Sequence, residues 1–528
     1  MNDKNSLIHV PVDNANACDL GAYPYYIFPS VCCLTSAVDL EKTGITKVQK
    51  NPNLALYGRG VLIGIMDTGI DYQHKAFLNK DGTSRILSIW DQTIQEGVPP
   101  EGFTFGSEYN KEKINLALKN DNPLAIVPSI DENGHGTAIA SIIAGSEDLE
   151  NSFTGIVPFA QFIIVKLKQA KQILRDIHFI PDGPVCYQES DLIFATRYLI
   201  NMARNLRRPL AYCLALGTSQ SGHDGIGATS SYLAYTMQIP QICVSLSAGN
   251  EGNKQRHFFG TVNATTYQKE FELKVSAKDK KFAMEIWPDA PSRLSIEIIT
   301  PSGESTQEVF PKLSVCRMFK FIYVPTVVWV NNIVSEQETG DQLILLRFEN
   351  PLEGIWKLRV HNIENGVSSF HAWLPAGDFI SDETFFLQSN PDTTVLSPGN
   401  AINPLTITAY NQVDNSIMLQ SGRGYTRTTS AIKPDIAAPG YEITCAVVNG
   451  GYGSLSETGA ATAYGTGIVA MLLEWAVIRG NYTTISGTDI SNLLKRGADR
   501  EEEIIYPNNI WGYGKINIDG VFRQLFLK

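Results

Sequence analysis

The 528 residues carry 43 basic and 54 acidic side chains, a formal net charge of −11, with 43% hydrophobic and 18% charged residues. That balance excludes a nucleic-acid surface, which needs clustered Lys and Arg against phosphate, and the composition excludes bulk disorder. No run of eighteen or more uninterrupted apolar residues is present, and the opening MNDKNSLIHVPVDNANACDL lacks the basic, apolar, small-residue layout of a secretory signal. The expectation is a chain that does not enter or cross a membrane by the usual route. Eight cysteines are scattered, with only Cys32 and Cys33 adjacent and no CxxC pair, which reads as mostly buried thiols and neither a zinc site nor a disulfide framework.

Beyond Gly60, short β-branched runs alternate with amphipathic stretches, the pattern of a parallel sheet covered by helices. In chain order, strands are predicted at 61–66, 162–167, 210–216 and 242–247, and helices at 137–144, 192–204 and around 232–237. Near residue 260 the texture changes. Phe271, Leu273 and Val275 alternate with charged neighbours, as do Leu294, Ile296 and Ile298, then Trp356, Leu358 and Val360, with a turn signal at Pro301, Ser302 and Gly303. Period-two alternation reads as antiparallel strands with one wet face, so a β-sandwich or jelly roll is expected as an insertion at 261–395. It divides an α/β domain into 52–260 and 396–528 and leaves a separate region at 1–51. The α/β pattern resumes after 396 and ends in a long apolar helix at 466–479.

Several segments carry residues suited to chemistry. IGIMDTGID puts Asp67 at the carboxyl end of a buried strand, where open α/β sheets place their sites, although alone it reads as well as a turn cap. DENGHGTAIASIIAG sets His135 between two glycines at the mouth of a small-residue helix. Paired with Asp67, whose carboxylate would hold the imidazole tautomer, His135 is a candidate general base. VSLSAGNEGN places Asn250 just after a strand, where its amide can donate to an oxygen that turns negative in a transition state; a turn Asn in the left-handed region is the alternative. KPDIAAPG, residues 433–440, and SLSETGAATAYGTGIVAMLLEWA follow.

The order DTG, HGT, AGN, KPDIAAPG, then small residues opening an apolar helix, resembles the subtilases, subtilisin-like serine proteases, as does the chain order Asp, His, nucleophile. Within that family, GRGVLIGIMDTGIDYQHKAF, RILSIWDQT, SIDENGHGTAIA, LGTSQSGHDG, SGRGYTR and LLEWA resemble the Csp-type germination proteases of clostridial spores. The resemblance implies a subtilisin-like parallel sheet with helices on both faces, an inserted jelly roll and an N-terminal prosegment within 1–51. It implies a serine endopeptidase of the bacterial spore that activates the precursor of a cortex-lytic hydrolase. Its partners would be that precursor, its own prosegment and related pseudoproteases. Asp67 and His135 would be catalytic, Asn250 the oxyanion donor, and the substrate pocket would lie between Leu214, Ala215, Leu216 and Gly217 on one side and Ala248 and Gly249 on the other. The substrate backbone would dock as an added strand. No cofactor is implied; calcium is frequent in subtilases, but no Asp-rich loop has ligand spacing.

One position departs from the family. Subtilases carry Gly-Thr-Ser at the start of the last long helix, and laying TGAATA on it puts Gly459, Ala460 and Ala461 there, with Ala461 in place of the nucleophile. Without Oγ no acyl-enzyme forms, and loss of the nucleophile costs about a million-fold in turnover while leaving binding in place. Ser454, Ser456 and Thr462 are near in sequence, but a one-residue shift on a helix swings a side chain by about 100 degrees, so none is expected to substitute. The chain is therefore expected to bind substrates and not cut them. It is read either as an endopeptidase whose serine was lost by engineering or recent change, or as a natural pseudoprotease that regulates or senses germination by holding partners.

Overall fold

In the computed structural model of the protein, the described residues are 31–34, 42–263, 265–364 and 366–526. An eight-stranded sheet forms the centre, in spatial order Ile436–Pro439, Leu405–Tyr410, Ile242–Ser247, Leu210–Leu214, Leu62–Asp67, Gln161–Lys166, Ile86–Asp91 and Ser107–Asn110. It is parallel throughout except for the edge strand Ser107–Asn110. Leu62–Asp67, Leu210–Leu214 and Ile242–Ser247 are buried at every position, which a parallel sheet covered on both faces requires.

The helices α1 (His135–Ala144), α2 (Glu189–Leu206) and α3 (Thr458–Leu473) pack on this sheet. In α2, Leu192, Ala195, Leu199 and Ala203 recur at helical spacing and are buried. In α3 every residue is buried, and the helix lies against α1 and against Leu210–Leu214, Ile242–Ser247 and Leu405–Tyr410. Thr458–Ile478 is long and apolar enough to cross a bilayer, yet 83% of its apolar window is enclosed by the fold, as in a core helix. α3 begins at Thr458 and not at 466 as the apolar pattern suggested, because the small residues Gly459, Ala460 and Ala461 form its first turn, where the resemblance put them. The expected strand at 210–216 also divides: Leu210–Leu214 stays in the sheet, whereas Leu216–Gly217 leaves it. Glu474 of LLEWA is structural: its Oε2 accepts from the backbone N–H groups of Tyr57, Gly58 and Arg59 and anchors the start of the domain.

Between His257 and Phe386 the chain forms two antiparallel sheets of six and four strands. Phe271, Leu273, Val275, Leu294, Ile296, Ile298, Trp356, Leu358 and Val360 all enter the core the sheets share, which makes a β-sandwich. Its seam with the α/β part combines a buried apolar cluster, in which Ile177 and Phe179 meet Trp287, Leu343, Leu345 and Trp373, with ion pairs. Arg427 of SGRGYTR contacts Asp289 and Asp341 of the sandwich and Asp224 of LGTSQSGHDG, while His223 stacks on Trp373 with ring centroids 4.1 Å apart. Cys186, Cys213, Cys243 and Cys445 are buried free thiols, and Cys316 is disulfide-bonded.

Candidate active site

Asp67 ends its strand and His135 opens α1, so both stand at the carboxyl edge of the parallel sheet. Asp67 Oδ1 lies 2.7 Å from His135 Nδ1 and also accepts from the Thr68 N–H at 2.7 Å. Both side chains are buried. The mouth of α1 is held by Asp131, whose carboxylate accepts from the N–H groups of Gly134 and Thr137 and from the Thr137 hydroxyl. The Gly136 N–H donates to Thr68 Oγ1 at 2.9 Å. A Cβ on Gly136 would collide with the Gly69 carbonyl oxygen and stand 3.1 Å from Asp67 Cβ, so the glycine after the histidine lets the helix press onto the DTG turn. Gly136→Ala is expected to cost about 1–3 kcal/mol through this overpacking, read as a lower urea midpoint. Tyr187 faces the same site: burial pushes its phenol far above the ordinary range, and the carboxylates of Asp67 and Asp131 push it further.

Asn250 lies just beyond Ile242–Ser247, at the head of α3. Its Oδ1 accepts from the Thr458 N–H at 3.1 Å and the Thr458 hydroxyl at 2.9 Å, and its Nδ2 donates to Glu457 Oε2 at 3.0 Å. The amide expected to be the oxyanion donor is thus tied to Thr458, three residues before Ala461 in the first turn of α3, and one of its N–H groups meets a carboxylate. The sequence reading missed Glu457; the signal available was an acid immediately before the first turn that carries Ala461. Ala461 itself is fully buried. Of the neighbouring hydroxyls, Thr462 Oγ1 donates to the Thr458 carbonyl at 2.9 Å, Ser456 Oγ accepts from the Glu442 N–H at 2.8 Å, and Ser454 is exposed on the hairpin strand Tyr452–Leu455. Cys213, opposite Ile65 in the sheet, is a poor nucleophile because burial pushes its thiol up to about 12.

The residues expected to line a substrate pocket lie on two segments. Leu214 ends the sheet strand, Ala215 leads out, and Leu216 and Gly217 pair with a segment of the N-terminal region, Val31–Leu34. That segment is the middle strand of a small antiparallel sheet: Val31 and Cys32 lie opposite Gln188 and Tyr187, and Cys33 and Leu34 opposite Gly217 and Leu216. The rest of the expected prosegment lies outside the described residues, except 42–51. In the other segment, the Ala248 and Gly249 carbonyls accept from the N–H groups of Leu396 and Gly422. Among the described residues, no group of three or more His, Cys, Asp or Glu side chains could hold a metal ion.

A buried Asp–His pair at the carboxyl edge of a parallel sheet, an amide at the head of the neighbouring helix and an extended strand along the pocket wall define a protein of the subtilisin-type serine protease architecture. The model of the subtilase family matches residues 58–270 and 376–514, and the chain belongs to that family. Among solved structures it is similar to the Clostridium perfringens CspB protease, at 27% identity and a TM-score of 0.80, covering 92% of this chain and 98% of that one. Curated relatives include subtilisin-like protease SBT3.10 of Arabidopsis thaliana, 23% identical over 459 residues, which are 79% of this chain and 55% of that protein. The C5a peptidase of Streptococcus pyogenes is 21% identical over 473 residues, 83% of this chain and 37% of that protein. The chain thus spans about half the length of the first of these curated relatives, and less of the second.

Proposed function

We propose that this protein is a subtilase of the spore-germination group whose cleft, in the present sequence, holds a peptide chain and does not cut it. The carrying observation is the pairing of Val31–Leu34 along Leu216–Gly217, in the manner of a docked substrate strand, in a chain with Ala461 where the family has its serine. With a serine there, His135 would take the hydroxyl proton, Asp67 would hold the imidazole through Nδ1, and Asn250 would steady the oxyanion. Alanine removes the first of these steps and leaves the groove. The group's activity, cleavage of a cortex-lytic hydrolase precursor in the bacterial spore, makes that precursor the partner to test, beside the chain's own N-terminal segment and related pseudoproteases.

Two observations weigh the origin of the alanine. The intact Asp67–His135 bond favours an endopeptidase that has lost only its nucleophile. The Glu457 carboxylate on the Asn250 amide favours a natural pseudoprotease, because it puts negative charge beside the donor that should meet an oxyanion. Purified chain mixed with the purified precursor is expected to co-elute with it on gel filtration and leave its mass unchanged. Cleavage by the unaltered chain would refute the holding role, and so would failure to co-elute. Separately, Cys33→Pro, which puts a residue without an N–H into the middle strand, is expected to raise amide exchange at Tyr187, Gln188, Leu216 and Gly217 at least tenfold, by hydrogen–deuterium exchange mass spectrometry.

A further inference from the structure

The two walls of the pocket are joined by a residue that neither the Asp–His pair nor the cleft strand uses. Leu396 donates its N–H to the Ala248 carbonyl at 3.0 Å, and the next residue, Ser397, exchanges two backbone hydrogen bonds with Thr218, at 2.9 and 2.8 Å. Residues 396–397 are therefore stitched to both walls at once.

The Leu396 side chain, only 2% exposed, lies against a glycine on each wall. A Cβ on Gly217 would stand 2.8 Å from Leu396 Cβ and 3.1 Å from its Cδ1; a Cβ on Gly249 would stand 2.5 Å from Cγ and 2.6 Å from Cδ1. Gly249 also has φ +87°, so its backbone and its surroundings both call for glycine. Each wall lacks a side chain where the leucine enters, and the isobutyl group takes up the space between them. Buried carbon in a close-packed setting yields little to a second large side chain.

We propose that Leu396 is a specificity-determining residue: it floors the pocket between Leu214–Gly217 and Ala248–Gly249 and restricts the bound peptide to a small side chain, Gly, Ala, Ser or Thr, at the position facing that pocket. This rests on the reading of the cleft as a peptide-holding groove. The sequence that follows the cleft strand, Thr35-Ser36-Ala37, carries only small side chains.

The test uses the full chain carrying Ala461→Ser and Glu457→Gln, a peptide library varied at one position, and the identity of the residue on the amino side of the cut bond. Small residues are expected to be preferred over Leu, Phe and Met by roughly tenfold to a hundredfold in kcat/KM. Adding Leu396→Gly, or Leu396→Ala should the glycine variant fail to fold, is expected to shift that ratio at least tenfold toward the large residues. Preference for large residues with Leu396 in place, or an unchanged ratio in a folded Leu396 variant, overturns the proposal. A repaired chain that cuts nothing counts against the protease reading instead. The same peptides are then compared as ligands of the unaltered chain by fluorescence anisotropy, where small-residue peptides that bind no better than large-residue ones overturn the floor.

Discussion

Ala461→Ser combined with Glu457→Gln is expected to give a chain that cleaves itself in the N-terminal region, and Ala461→Ser alone a chain that does so more slowly, by up to about 10²–10³-fold. Restoring the hydroxyl returns the step worth about a million-fold in turnover, since the Asp67–His135 hydrogen bond it needs is in place at 2.7 Å. The second substitution matters because a carboxylate 3.0 Å from Asn250 Nδ2 sets negative charge beside the amide that should meet the developing oxyanion. Outright loss of such a donor costs about 10²–10³ in kcat, which bounds the effect of opposing it with a charge. Glutamine is close to isosteric and can keep contacts at the head of α3 while removing the charge. Release of the N-terminal fragment, followed by intact mass, reads the result, and His135→Ala in the double variant should abolish it. A folded double variant that releases nothing would decide for a natural pseudoprotease.

Lys433→Met is expected to destabilise the fold by about 2–4 kcal/mol, because it takes from a buried carboxylate one of its two cationic partners and leaves only Lys495. Lys433 Nζ donates to Asp435 Oδ2 at 2.6 Å, to the Pro404 carbonyl at 2.8 Å and to Thr406 Oγ1 at 3.1 Å. The same Asp435 oxygen accepts from the Thr406 N–H, and Oδ1 pairs with Lys495 at 2.6 Å. KPDIAAPG is thus a bracket that fixes Leu405–Tyr410 against Ile436–Pro439. Burial alone would raise the Asp435 carboxyl, but Lys433 and Lys495 beside it bring it below its ordinary value. A carboxyl depressed in the fold contributes stability above its unfolded value, about 4, and that contribution is lost as pH falls through the lower folded value. Lys433→Met should therefore move the acid limb of the stability curve to higher pH, and Lys433→Met with Asp435→Leu should recover much of the loss. Urea titrations at pH 7 and pH 4 measure both.

The period-two runs of the insert and the α/β order around Asp67 and His135 were legible because each is a local pattern with one good burial solution. Ile242–Ser247 falls where the alternation put it. The first turn of α3 was not legible from hydrophobic periodicity, since its small residues Gly459, Ala460 and Ala461 show no apolar stripe; only the likeness of TGAATA to the family's helix start marked it. The break at Ala215 was hidden for another reason: Leu216–Gly217 pairs with Val31–Leu34, a partner far away in sequence. The Glu457 contact to Asn250, the Leu396 side chain between two glycines and the Arg427 seam all join residues far apart in the chain. Single-residue motifs carry no mark of such pairings.

α3 also bears on how the molecule is made. The strands it covers are contributed from both sides of the β-sandwich, whereas the helix itself comes near the end of the chain. During synthesis the sheet must wait, with an apolar face uncovered, until Thr458 and the residues after it leave the ribosome, the situation in which nascent chains aggregate or engage chaperones. Fragments ending before Thr458 should accordingly be insoluble when expressed alone.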